Sequence, residues 1–225
     1  LPGRDYDLQD CYSSYLGFSL ETVRQAFAFK YPEMPVAQDF IQFDYVPRAL
    51  PHPIAALLEG KARFKMKTWE CRTHGDLHTG NILVDSDQEQ PWLIDFGRAG
   101  VGHWLRDLVA LEASITFQHI PHKDPGDLFL FEAALIRPKE FADPIQYSRS
   151  DQPELSKAAE VIAELRRIAG AIDGSENALQ SYYAALFYQT INYVRLHKLI
   201  KNPRRKNHVL LAAALLYEKL NLYEK

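Results

Sequence analysis

The sequence is poor in the residues that announce special environments. It has two cysteines, Cys11 and Cys71, far apart and with no metal-ligand spacing around either. A disulfide-stapled secreted scaffold or a structural zinc cluster needs more than that. The pair reads as reduced thiols in a cytoplasmic protein, with a single disulfide left open. No apolar run approaches the roughly 20 residues of a membrane-spanning helix. The net charge is −3, so no basic surface suited to neutralising nucleic-acid phosphates is implied, and Arg204-Arg205-Lys206 reads as a solvated helix start. No repeat or low-complexity tract occurs. Before residue 75 the only glycines are Gly3, Gly17 and Gly60, which excludes a G-x-G-x-x-G phosphate loop from the first third. What is left is the composition of a globular chain: 225 residues, 47% hydrophobic and 24% charged, long enough to bury a full core.

Against this background one stretch is dense in chemistry. Thr73-His74-Gly75-Asp76-Leu77-His78-Thr79-Gly80-Asn81 leads into the apolar run Ile82-Leu83-Val84. A second run, Trp92-Leu93-Ile94, leads out to Asp95-Phe96-Gly97. The polar, turn-prone segment from Asp85 to Pro91 between the runs predicts a β-hairpin. Closing that hairpin sets Asp76 and Asn81 at the entry of one strand and Asp95 at the exit of the other. Three oxygen-bearing side chains at one end of a hairpin suit a hard cation and a proton acceptor.

The order His74-x-Asp76, then Asn81, then Asp95-Phe96-Gly97 resembles the signature of the kinase-like phosphotransferase superfamily. Gly75 and the run from Leu77 to Asn81 resemble its aminoglycoside and choline phosphotransferase branch. The resemblance implies an α+β, mostly α fold: the helical carboxyl-terminal lobe of a protein-kinase-like protein with a small catalytic β-hairpin. It implies transfer of the γ-phosphoryl group of ATP or GTP to a hydroxyl of a small molecule. In that scheme Asp76 aligns and deprotonates the acceptor, and Asn81 and Asp95 hold Mg²⁺ against the nucleotide. His78 reads as a contact for phosphate or for a neighbouring backbone carbonyl, or as plain packing, His74 orients the loop, Phe96 packs in the core, and Gly75, Gly80 and Gly97 free the backbone of the tight turns. Asp107 opens a core helix and ties the loop down. The resemblance also implies an amino-terminal β-rich lobe with a glycine-rich loop and a strand lysine. Neither is in this sequence, so the chain reads as a lobe of a longer protein. Residues 40–225 form the catalytic lobe, and residues 1–39 a helical extension or inter-lobe segment. The interval from Asp95 to Asp107 is too short for a protein-kinase activation loop, which favours a small-molecule acceptor. Asp124, Asp127, Glu132, Glu140 and Asp143 are candidates to hold a cationic one.

Along the rest of the chain, residues 1–18 show no clear period. Ser19 caps a helix reaching about Lys30. Phe40–Val46 is strand-like, and Ile54–Phe64 reads as helix. Further helices are expected from His103 to about Phe117 and from an Asp124 cap with Pro125 in the first turn through Leu135. Another follows a cap at Ser150 or Asp151. The next begins near Ser175 and ends at Asn202-Pro203, and the last runs from about Arg204 to Leu222. Two other readings stand beside the phosphotransferase. His74, Asp76 and His78 alternate and could bind zinc in an extended segment. Alternatively, the chain is a regulatory or scaffolding domain that keeps the motif with weak or no catalysis.

Overall fold

The structure, a computed structural model, describes residues 3–85, 87, 90–121, 124–196 and 203–223. Ser86, Gln88 and Glu89 of the expected hairpin turn, and Asn202 as an expected helix end, lie outside them. The chain is α+β and about 54% helical, with small antiparallel ladders.

The first 18 residues hold more than their sequence announces. Strand β1 (Arg4–Asp7) runs into helix α1 (Leu8–Leu16), capped by the Asp7 side chain and ended by left-handed Gly17. Helix α2 (Leu20–Lys30) starts at Ser19 with a complete capping box formed with Thr22. Only Phe40–Ile41 of the expected strand is extended, as β2, and it pairs with β3 (Leu50–Pro51). Helix α3 (Pro53–Leu58) stops six residues short of Phe64, because the chain turns at Gly60 with φ +75°.

Strands β4 (Lys65–Thr68), β5 (Glu70–Thr73), β6 (Ile82–Asp85), β7 (Gln90–Leu93) and β8 (Gly100–His103) then frame the motif. β6 pairs with β7 antiparallel, Ile82 opposite Leu93 and Leu83 opposite Trp92, which is the expected hairpin. β5 pairs with β8 and β1 with β4. His103, the expected first residue of the next helix, is therefore the last residue of a strand, and α4 begins only at Arg106 (Arg106–Ser114). Its end loosens into a π-helical turn over Ile115–His119.

Helices α5 (Pro125–Leu135), α6 (Pro153–Ile172), α7 (Ala178–Arg195) and α8 (Pro203–Asn221) complete the fold. Asp124 caps α5 as expected. The expected caps of α6 and α7 are replaced by Gln152 and Asn177, neither of which makes a side-chain cap bond. α7 is the axis of the molecule. All its residues from Ala178 to Val194 except Gln180 are buried, and α1, α2, α4 and α8 pack around it. One apolar cluster runs from Leu8 to Leu220, and α5 and α6 share a second, smaller one built on Phe131, Leu155 and Ile162. Among the described residues no helix is long and apolar enough to cross a membrane.

Candidate active site

The loop between β5 and β6 is held by side chains from α4. Asp107 accepts from two successive backbone N–H groups, His74 N to Oδ2 at 2.6 Å and Gly75 N to Oδ1 at 2.9 Å. Its neighbour Arg106 donates from Nη2 to the Gly75 carbonyl at 2.7 Å, while its guanidinium lies 4.6 Å from the ring centre of Tyr15 on α1. A carboxylate accepting two N–H bonds and a guanidinium holding the Gly75 carbonyl fix Gly75 on both sides of its Cα. Gly75 is the one loop position that demands glycine: its φ is +83°, and a Cβ there would stand 2.0 Å from the Arg98 carbonyl oxygen.

The second fastening joins the two ends of the hairpin. His74 is buried, and its Nε2 donates to the Ile94 carbonyl at 2.8 Å, the residue before Asp95. The Ile94 N–H donates to the Asn81 carbonyl at 3.1 Å. The Asn81 amide in turn donates from Nδ2 to the Asp76 carbonyl at 2.9 Å. Asp76, Asn81 and Ile94, the residue before Asp95, are thus tied into one network at the open end of the hairpin. Asn81 is buried, Asp76 half-buried and Asp95 exposed. The Asp76 carboxylate has an exposed ion pair with Arg98 at 3.7 Å. Asp95 is the only non-glycine at positive φ among the described residues (φ 63°, ψ 60°), and its side chain makes no cap bond to the single 3-10 turn that follows, Phe96–Arg98.

Other expectations need correction. Phe96 is 55% exposed rather than in the core, its ring 4.6 Å from that of His74. Gly80 and Gly97 are not in the left-handed region; at the latter motif Asp95 takes that conformation. The side chain of His78 caps the 3-10 turn Thr79–Asn81 with Nδ1, which accepts from Gly80 N at 3.1 Å. The zinc reading does not hold, because no three His, Cys, Asp or Glu side chains gather to hold a metal among the described residues, and His74 is committed to Ile94. Both cysteines are free thiols.

Sequence reasoning missed the opposite wall. Thr79 N donates to Ser114 Oγ at 3.2 Å, and its hydroxyl meets Ser114 Oγ at 2.8 Å and His119 Nε2. Gln118 donates to the Tyr193 hydroxyl at 2.8 Å. Burial pushes the Tyr193 phenol up to about 12, and the Asp76 carboxylate adds to that rise. No local pattern marks these residues; the π-helical turn that carries two of them is visible only in three dimensions.

A family model described as ternary complex associated domain 9 matches residues 18–193, most of the chain, and the chain belongs to that family. No curated protein and no solved structure matches it.

Proposed function

We propose that this member of the ternary complex associated domain 9 family is the carboxyl-terminal lobe of a kinase-like phosphotransferase, moving the γ-phosphoryl group of ATP or GTP to a hydroxyl of a small molecule. The observation that carries the reading is the double fastening of the loop. Asp107 holds His74 N and Gly75 N while His74 holds Ile94 O, so the backbone carrying Asp76 is fastened to the backbone that leads into Asp95.

The donor set fits Mg²⁺. That cation takes one or two protein oxygens and completes its shell with water and phosphates. Asn81 gives its Nδ2 to the Asp76 carbonyl, which aims its Oδ1 away from that bond. Asp95 is held left-handed with a carboxylate that caps nothing, and strain of this kind persists where the surroundings impose it. When bound, the Mg²⁺-nucleotide supplies the phosphoryl group and neutralises the charge on it. The chain's own residues do the rest. Asp76 orients the acceptor hydroxyl and takes its proton at a carboxylate oxygen, a task that depends on alignment more than on a raised pKa. Asp107, Arg106 and His74 keep Asp76 in place. The free thiols and the nucleoside-triphosphate donor suit a cytoplasmic protein.

The test is Asp76→Asn in the full-length protein. Transfer to acceptor is abolished while Mg²⁺-nucleotide affinity stays within about twofold; transfer that survives would remove Asp76 from the mechanism.

A regulatory or scaffolding role is the second reading. The family description speaks of association in a ternary complex, and the hairpin leaves Leu83, Val84, Trp92 and Leu93 about half exposed or more. Exposed apolar side chains in that number mark a surface that something covers. A full-length protein that binds a partner there and turns over no nucleotide would favour it.

A further inference from the structure

Four of the five acids that the sequence offers for a cationic acceptor have partners in the fold. Asp124 caps α5 through Gly126 N, and Asp127 holds Arg149 and Gln152. Glu132 is buried against His208 Nε2 at 2.6 Å, and Asp143 accepts from the backbone N–H groups of Lys139 and Glu140. Glu140 itself lines a cleft of about 620 Å³ that includes no residue of the 74–81 loop.

The loop is served instead from α1. Glu70 and His103 face each other at the first rung of the β5–β8 ladder. The Tyr15 hydroxyl joins them, accepting from His103 N at 3.1 Å and donating to Glu70 Oε1 at 3.4 Å. The Tyr12 ring meets that of Tyr15 edge-on at 5.8 Å, and the Tyr12 hydroxyl is bonded in turn to His103 Nδ1. Tyr15 is thus fixed to both strands that flank the motif.

Arg106 crosses from that ring to the loop. Its guanidinium lies 4.6 Å from the ring centre of Tyr15, and its Nη2 donates to the Gly75 carbonyl at 2.7 Å. Its stem runs over β8, where a Cβ on Gly102 would stand 3.3 Å from Arg106 Cδ. A guanidinium that gives its N–H to a carbonyl gains no charge partner from that bond, and an aromatic face supplies the negative potential instead. The Gly75 carbonyl belongs to the planar peptide unit whose nitrogen is that of Asp76. Arg106 therefore sets the peptide plane from which Asp76 projects, and Tyr15 sets Arg106.

Resting on the phosphotransferase reading, we infer that Tyr15 is a positioning residue for the transfer, acting through Arg106 on the peptide plane that carries Asp76. It governs the angle at which the Asp76 carboxylate meets the acceptor, and the binding of Mg²⁺-nucleotide at Asn81 and Asp95 does not depend on it.

The experiment uses the full-length protein and three readings: calorimetric titration with Mg²⁺-ATP and Mg²⁺-GTP, nucleotide hydrolysis with water as the acceptor, and amide hydrogen exchange at His74 and Gly75. In that hydrolysis the water oxygen bonds the γ-phosphorus, the nucleoside diphosphate leaves, and the water proton passes to Asp76. Tyr15→Leu removes the aromatic face. The two loop amides then exchange about fivefold faster or more, and the hydrolytic kcat falls by at least as much. Nucleotide Kd stays within about twofold, and the amides of α7 exchange at the natural rate. Tyr15→Phe keeps the face and stays within about twofold on every reading. Arg106→Gln reproduces Tyr15→Leu, and adding Tyr15→Leu to it costs nothing more. Tyr15→Met takes the place of Tyr15→Leu if the latter lowers the yield of folded protein. Losses that add in the double variant, loop exchange and kcat unaltered in Tyr15→Leu, or Tyr15→Phe as impaired as Tyr15→Leu, overturn the inference alone. A natural protein that binds neither Mg²⁺-nucleotide overturns the phosphotransferase reading and the inference with it.

Discussion

At the scale of single residues, the site is held by backbone contacts more than by side-chain chemistry. Gly75 shows how little room the loop has. With φ at +83° and the Arg98 carbonyl where a Cβ would stand, Gly75→Ala must move either the loop or the turn after Asp95. The expected cost is at least about 2 kcal/mol, from strain plus the clash. It is read as a lower denaturant midpoint at unchanged slope, and an unaltered midpoint would mean that the loop follows another path. The placement of Asp76, Asn81 and Asp95 at one end of a hairpin was legible because their spacing is local. What each neighbour does was not. Phe96 reads as core by composition yet lies exposed, because the chain after left-handed Asp95 turns outward. His78 reads three ways in the sequence, and its cap to Gly80 N is seen only in the structure.

At the scale of elements, α4 is the part on which the loop depends. Its first turn supplies Arg106 and Asp107 to the loop, and its middle supplies Glu112 to a buried network. Glu112 accepts from Arg166 Nη2 at 2.6 Å and from Nε at 3.1 Å, and from the Tyr182 hydroxyl at 2.5 Å, with Arg166 and Glu112 almost fully buried. Removing one partner leaves the other charge buried and alone. Arg166→Met is expected to destabilise by about 3–5 kcal/mol, while the double change Arg166→Met with Glu112→Leu recovers much of it. Equilibrium unfolding of the three proteins checks this, and a double variant no better than the single would contradict it. Helices α2, α5 and α8 were legible from caps, prolines and apolar spacing. The β5–β8 ladder was not, because Gly100-Val101-Gly102-His103 has no strand-like alternation and its partner lies some thirty residues upstream. Partners that distant leave no periodic trace.

At the scale of the whole molecule, the core closes over two histidines that the fold keeps neutral. Burial lowers His52 to about 4 and His103 to about 3; the latter sits between the Tyr12 hydroxyl at 3.1 Å and Thr68 Oγ1 at 2.9 Å. In the unfolded chain both titrate near 6.5. Between those values the unfolded state binds more protons than the folded one, so stability falls as pH drops from about 6.5 towards 4 and below. His52 accepts from Ala55 N as the cap of α3, and asparagine serves that position as well. Melting temperatures from pH 7 to pH 4 should fall less steeply for His52→Asn than for the natural chain, and parallel curves would show that His52 does not titrate in this range.

The same closed core places α1 and α2 on α7, so these helices share one packing unit with the loop they help to support through Tyr15 and Arg106. The central claim is that this unit presents Asn81 and Asp95 to a metal-bound nucleotide. The measurement that tests it most directly is a thermal-shift titration of the full-length protein with ATP and with GTP, with and without Mg²⁺, beside Asp95→Ala. The account predicts a saturable, Mg²⁺-dependent rise in melting temperature, equivalent to about 2.7 kcal/mol at a hundredfold excess over Kd, which Asp95→Ala removes. A melting temperature indifferent to Mg²⁺-nucleotide, or a rise that Asp95→Ala leaves intact, would contradict it.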